Sequence, residues 1–413
     1  MTKTLPTATE WESIQRRTVT TLVASQVMGG VGVASGLAVM ALLALRISGS
    51  EQASGLGSTA QVLGSALFAI PVAHLMARRG RRPGLILGYL LAAVGSLVII
   101  AAAHISSFAL LLVGSLLFGA ATTSSNQARY VGADLARPER RGRDISIVVW
   151  ATTLGSVAGP NLVGPAESVS DALDLPRLTG SFVFSLIGFL LAAGVVAWRL
   201  RPDPLILARA GEGAQTKSPT SLRTGMRSVR TQPRALLGLL TMAGGHTVMV
   251  SVMVMTPLHM NHGGASLELI GLVISVHILG MFAFSPITGW LVDRLGGPTV
   301  ALGGTALLLT ACTLAATTAE GMSASLTGAL FLLGLGWSAT LVSGSTMLTS
   351  ALSVHERPSG QGVSDLTMGL CGASGGALAG VIIEQFSYSA LAVGGGLVAT
   401  ALAIVVVVLS SRP

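Results

Sequence analysis

Twelve long apolar runs separated by short charged loops leave this chain of 413 residues little choice of environment. They fall at about 18–45, 54–77, 84–103, 108–133, 145–166 and 180–199, and after a polar gap at about 234–260, 266–291, 298–318, 323–351, 360–384 and 388–409. Roughly 20 apolar residues suffice to cross the hydrocarbon core as a helix, which satisfies its own backbone there. Charged residues make up only 10% of the chain, against about 25% in soluble proteins, so a water-soluble fold is excluded. The expectation is an all-α polytopic membrane protein with twelve transmembrane helices and the lipid bilayer as its main partner.

Charge placement predicts orientation. Loops after even-numbered runs carry RRGRR at 78–82, RPERRGR at 137–143, Asp293 with Arg294, and HERP at 355–358. The odd-numbered loops are neutral or acidic, with Glu167, Asp171, Asp174 and Glu320. Basic loops stay in the cytoplasm, and an even number of spans puts both termini there too. The net charge of +8 is explained by these loops and does not imply a nucleic-acid partner. The first 17 residues are polar and read as a cytoplasmic tail; the run after them is too long for a signal-peptide core. Lys3 and Lys217 are the only lysines, and with abundant Ala and Gly this points to a GC-rich bacterial genome and hence the bacterial cytoplasmic membrane. Cys312 and Cys371 lie in apolar runs as buried thiols, and two cysteines make no disulfide framework.

An internal repeat divides the chain. GWLVDRLGG at 289–297 has a worn copy, AHLMARRGRR, at 73–82. PERRGR before the fifth run matches HERPSGQ before the eleventh, and Gly155-x-x-x-Gly159 then matches Gly372-x-x-x-Gly376. The expected organisation is a tail at 1–17, a six-helix bundle at 18–200, a cytoplasmic linker at 201–233, a second bundle at 234–409 and a tail at 410–413. The linker is too polar to span and too poor in apolar residues for a core of its own. Two pseudo-symmetric, parallel six-helix repeats form a common transporter architecture.

These residues resemble the major facilitator superfamily over essentially the whole chain, and within it bacterial drug and multidrug exporters. The family's loop signature, Gly-x-Leu-x-Asp-Arg-x-Gly-Arg-Arg, is matched by Gly289, Leu291, Asp293, Arg294 and Gly296, and in the first half by Leu75, Arg78, Gly80, Arg81 and Arg82. Ala73 replaces the glycine there and Ala77 the aspartate. The resemblance implies a cytoplasmic charge network that closes the cavity. Having lost its own carboxylate, the first copy must borrow one. Asp365, placed about one turn inside the eleventh run, is expected to pair with Arg78, Arg81 or Arg129, and Asp134 to join the same gate. Gly155, Gly159, Pro160 and Gly164 look like the family's exporter signature, a glycine-rich kink in the fifth span, which implies export by antiport. Small residues at this spacing also serve plain helix packing.

Ionisable groups at bilayer depth are functional candidates. The first half has no Asp or Glu near a span centre, and its deeper polar groups are Gln26 and Gln61, with Asn126 and Gln127 lower in the fourth run. In the second half His246 and His277 fall near the midplane. The resemblance places the seventh span along the cavity, where an imidazole could carry a coupling proton; the alternative is a packing hydrogen bond. Trp150 and Trp337 either wall a cavity for an apolar ligand or pack between helices. His259 and His262, near Met249, Met253, Met255 and Met260, suggest either a metal vestibule or plain interfacial histidines; the latter is preferred, with no metal site.

The expected function is secondary transport of a small apolar or amphipathic molecule by alternating access, coupled to protons as efflux. Uptake or facilitated diffusion without a proton is the second reading, and a metal or metal-chelate exporter the third. An intramembrane serine protease is formally possible, since Gly372-Ala-Ser374-Gly-Gly376 fits Gly-x-Ser-x-Gly and His246 or His277 could act as base. Repeat symmetry already explains that run, so no enzyme is expected. No Walker loop is present, no cofactor is implied, and a monomer suffices.

Overall fold

The computed structural model describes residues 6–212, 221–321 and 323–411, and they form an all-helical chain. Among the described residues eleven helices are long and apolar enough to cross a membrane. A bent pair, Pro138–Gly159 and Val163–Ala172, with 60° between its parts, brings the number to twelve if it is counted as one span. The expectations for residues 1–5, 213–220 and 412–413, including Lys3 and Lys217, lie outside the described residues.

The chain forms two compact units that do not follow the linker. The first comprises Met1–Ala136, Ala151–Met226 and Ser353–Gly369; the second comprises Arg137–Trp150, Arg227–Leu352 and Leu370–Pro413. Thus the start of the fifth span belongs with second-half helices, and the start of the eleventh with first-half helices.

In the first unit the opening helix runs Ala8–Ser48, where a polar tail was expected up to residue 17. A reciprocal capping box starts it, the Thr7 hydroxyl accepting from the Glu10 N–H while the Glu10 carboxylate accepts from Thr7 N–H. Phe118 packs edge-to-face on Phe182 and Phe189, centroids 5.9 and 5.2 Å away. The linker is less loose than its composition implies. It holds two helices, Pro204–Glu212 and Leu222–Thr231. Leu205 and Ala208 lack a core of their own and borrow one, packing with Val354 and Leu135.

The second unit buries Leu237, Ala301, Met347, Leu402 and Val406 together, drawn from four of its spans. Both copies of the repeated loop turn on a glycine with positive φ, Gly80 at +93° and Gly296 at +83°. That conformation is open to glycine at little cost, so the turn survives where its neighbours have diverged.

Candidate functional site

The turn at Gly80 starts the helix Arg81–His104 and so places Arg81 in its first turn. Arg81 is fully buried, and such a charge needs every donor matched. Its Nε donates to Asp134 Oδ2 at 2.6 Å and its Nη2 to Asp134 Oδ1 at 3.0 Å, a bidentate pair. Nη2 also donates to Gln361 Oε1 at 2.6 Å, and Nη1 to Gln127 Oε1 at 3.4 Å. The Gln127 amide then donates from Nε2 to Asp365 Oδ2 at 2.6 Å. The other oxygen, Asp365 Oδ1, accepts from Arg129 Nη2 at 2.8 Å. Arg129 further donates to Asn126 and to the Tyr130 hydroxyl, and Tyr130 shares a hydrogen bond with Ser364. Two buried ion pairs are therefore joined by one amide that accepts from one arginine and donates to the other pair's carboxylate.

Of its three expected partners, Asp365 takes Arg129. It lies two turns into the helix Arg357–Gln385, which begins before the apolar run does. Asp134 joins through Arg81, as the pattern suggested. Arg78 does not join: it is exposed at the end of its helix. Arg82 engages Asp203 through its backbone N–H.

The second loop copy is built differently. Asp293 directs its carboxylate at the start of the fifth span, accepting from Gly142 N–H at 2.7 Å and Arg143 N–H at 2.8 Å. Those N–H groups belong to a helix's first turn and have no partner within it. Gly289 and Gly142 allow the approach, since a Cβ on Gly142 would sit 2.8 Å from both Asp293 Oδ1 and the Gly289 carbonyl. Arg294, expected in the gate, is exposed and lies over the Trp290 ring, 5.3 Å from its centroid.

Deeper in the second unit, Trp337 Nε1 donates to His246 Nδ1 at 3.1 Å, and Phe282 meets Trp337 edge-on at 5.5 Å. Gly372 gives the imidazole room: a Cβ there would be 2.8 Å from His246 Nε2. His277 is buried, and its Nδ1 lies 2.8 Å from the Leu330 carbonyl, the packing bond rather than a group open to a path. Trp150 is half-buried and is not brought to Trp337. In the first unit Gln26 donates to the Ser125 carbonyl and Thr152 and accepts from Tyr89. Gln61 is buried with its Oε1 unpartnered.

Gly155 lies against Gly30, and Gly159 against Ala34 and Ser35. Gly164 faces open space, and the side chain of Pro160 lies outside the described residues. His259 stacks on Tyr388 at 4.0 Å, while His262 is exposed. Among the described residues no three His, Cys, Asp or Glu side chains are grouped to hold a metal.

Comparison with known proteins agrees with this architecture. The profile of the Major Facilitator Superfamily matches residues 20–263 and 248–413. The chain belongs to the Major Facilitator Superfamily. It is 39% identical to an uncharacterized MFS-type transporter, YdeG of Bacillus subtilis (strain 168), over 96% of this chain and 92% of that one. It is 26% identical to the riboflavin transporter RfnT of Brucella anthropi, over 86% of this chain and 85% of the relative. In fold it resembles the outward-facing crystal structure of a bacterial homologue of the iron transporter ferroportin, with TM-score 0.75, 14% identity, and coverage of 95% of this chain and 99% of that one. It is thus a membrane transporter of this superfamily.

The sequence singled out both loops and the two carboxylates, Asp134 and Asp365, that pair with buried arginines. The bridging amides are not evident from it: Gln127 reads as a polar residue low in its span, and Gln361 as part of a loop match. The signal was available, since glutamines that can reach buried charges of both signs bridge them. Asp203 and Arg209, in the polar linker, carried no such signal.

Proposed function

We propose that this chain is a secondary exporter of a small, largely apolar or amphipathic molecule across the bacterial cytoplasmic membrane, working by alternating access coupled to protons, with both termini in the cytoplasm. The buried network from Arg81 to Arg129 serves as the latch of the cytoplasmic gate. It ties the start of span eleven to helices of the first half, and its release lets that end open. The observation that carries the coupling is the His246–Trp337 hydrogen bond. Nδ1 accepts from an indole that can only donate, so a proton arriving at Nδ1 removes the acceptor and frees Trp337. Export is favoured by the glycine contacts of the bent fifth span. The chain acts as a carrier rather than an enzyme: Ser374 is exposed, while His246 faces Gly372.

Everted vesicles loaded with a fluorescent amphipathic dye test this reading. Dye accumulation that collapses with a protonophore is expected, and His246→Gln should leave downhill flux while abolishing accumulation. Accumulation indifferent to the protonophore rejects proton coupling. A second reading, uptake of a planar aromatic solute such as riboflavin without a proton, is favoured by the RfnT relative and by the Trp337–Phe282 pair. Saturable riboflavin entry into right-side-out vesicles, unaffected by His246→Gln, would support it over export.

A further inference from the structure

We propose that the linker helix Pro204–Glu212 is a working part of the first-half gate, with Asp203 and Arg209 as positioning residues that compensate for the aspartate lost at Ala77. This rests on the gate reading above.

The lost aspartate leaves a specific gap. Ala77 lies in the last turn of the helix Leu56–Arg79. The N–H of Gly80 turns back to the Met76 carbonyl at 2.9 Å, which leaves the Ala77 carbonyl among the helix's unclaimed acceptors. Arg209 Nη1 donates to that carbonyl at 2.9 Å. A guanidinium is thus placed at the negative end of the span-two helix, at the residue where the second loop copy has Asp293.

Asp203 completes the arrangement on the other side of the turn. Its Oδ2 accepts from the Arg82 N–H at 2.8 Å, in the first turn of the helix Arg81–His104. Its Oδ1 accepts from the N–H groups of Leu205 and Ile206 at 3.1 and 3.3 Å. One carboxylate therefore caps two helices, span three and the linker helix. Gly80 makes room for it, because a Cβ there would lie 2.6 Å from the Asp203 carboxylate. The anchored turn is the one that carries Arg81, and Arg81 holds Asp134 and Gln361. On the same buried side of the linker helix as Arg209, Leu205 and Ala208 pack on Leu135 beside Asp134 and on Val354, which leads into span eleven. The helix therefore touches the chain on three sides of the latch, and loosening it displaces the turn from which Arg81 reaches.

The test follows the latch rather than the linker. In full-length protein with Cys312→Ala and Cys371→Ala, Ser364→Cys places a thiol beside Tyr130. A membrane-impermeant maleimide is then added to everted vesicles. Slow labelling is expected with the native linker. Asp203→Asn or Arg209→Met should speed it about tenfold, as expected when one charge-assisted hydrogen bond is lost from a two-state equilibrium. Arg209→Lys keeps a donor and should stay near the native rate. Adding Ala77→Asp to Arg209→Met should slow labelling again, a rescue that a merely structural linker does not produce. Asp365→Asn separates the two readings. If it speeds labelling while both linker variants leave it slow, the linker role is overturned and the gate stands. If Asp365→Asn also leaves labelling slow, the gate reading fails and the linker role with it. Loss of both linker variants from the membrane without restoration by Ala77→Asp counts against positioning, because a plain folding role then accounts for the contacts.

Discussion

Asp293 in the second loop copy reaches out of its own helix to cap the backbone at the start of span five, whereas the first copy has Ala77 and relies on side chains contributed by spans three, four and eleven. The turn itself is shared, since Gly80 and Gly296 take up closely similar backbone conformations. What differs is the chemistry laid over it. A carboxylate on two backbone N–H groups at a half-exposed edge is a graded, screened interaction. Two buried ion pairs bridged by Gln127 are a contact of another kind. Desolvation offsets much of their attraction, so the intact network adds little net stability, yet removing one member strands a charge in low dielectric. The two loop copies are therefore held by interactions of unequal cooperativity. Deeper in the membrane the contrast recurs: Gly30 meets Gly155 in the first unit, and His246 takes the corresponding place against Gly372 in the second.

The largest effect is expected where a charge is stranded. Asp365→Ala leaves the Arg129 guanidinium buried beside Tyr130 without its carboxylate, and breaking such a pair costs about 3–5 kcal/mol. A loss of thermal stability in detergent, together with loss of transport, is the expected result. The double variant Asp365→Ala with Arg129→Met should recover much of the stability, because no charge is left unpaired. No recovery would show that the two residues do not act as a pair.

The two helix crossings give the next contrast. A Cβ on Gly155 would lie 2.6 Å from the Gly30 Cα and carbonyl carbon, so Gly155→Ala must push two backbones apart, at a cost of about 1–3 kcal/mol. A Cβ on Gly372 crowds only the far end of the His246 ring, which can tilt, and makes ordinary contact with Val250. Gly372→Ala should therefore hold most of its stability and instead disturb the bond to Trp337. A change in tryptophan fluorescence with little change in melting temperature is expected. Equal destabilisation by the two substitutions would erase this difference between the halves.

The all-helical membrane fold was legible because each apolar run has the right length, and eleven long apolar helices and one bent pair follow those runs. The repeated loop also told where buried charges gather. It did not tell which partners meet, because pairing depends on where side chains from distant helices converge: Arg81 finds Gln361 and Arg129 finds Asp365 across most of the chain. Arg78 and Arg294 match the family signature as well as Arg81 does, yet the backbone leaves both exposed. His246 and Trp337 were each singled out, but nothing in their spacing announced that they bond. The linker was the least legible region, since Leu205 and Ala208 complete a core made mostly by other segments.

The smallest effect is expected at Asp293. Asp293→Asn keeps one acceptor oxygen and removes the charge, so one of the two N–H groups of Gly142 and Arg143 loses its partner. Loss of a helix-capping contact costs typically about 1 kcal/mol. The residue is only half-buried, so part of that loss is an interaction of the charge with the helix end that salt screens. The destabilisation by Asp293→Asn should therefore shrink as salt is raised, while that by Asp365→Ala should hardly change, its network being shut off from solvent. Melting temperatures of the native protein and both variants across a salt series check this directly. If both differences fall in parallel, the buried network is open to ions and the contrast between the two loop copies is lost. If only the Asp293→Asn difference falls, the two loop copies are held by separate physics, one contact open to solvent and the other shut off from it.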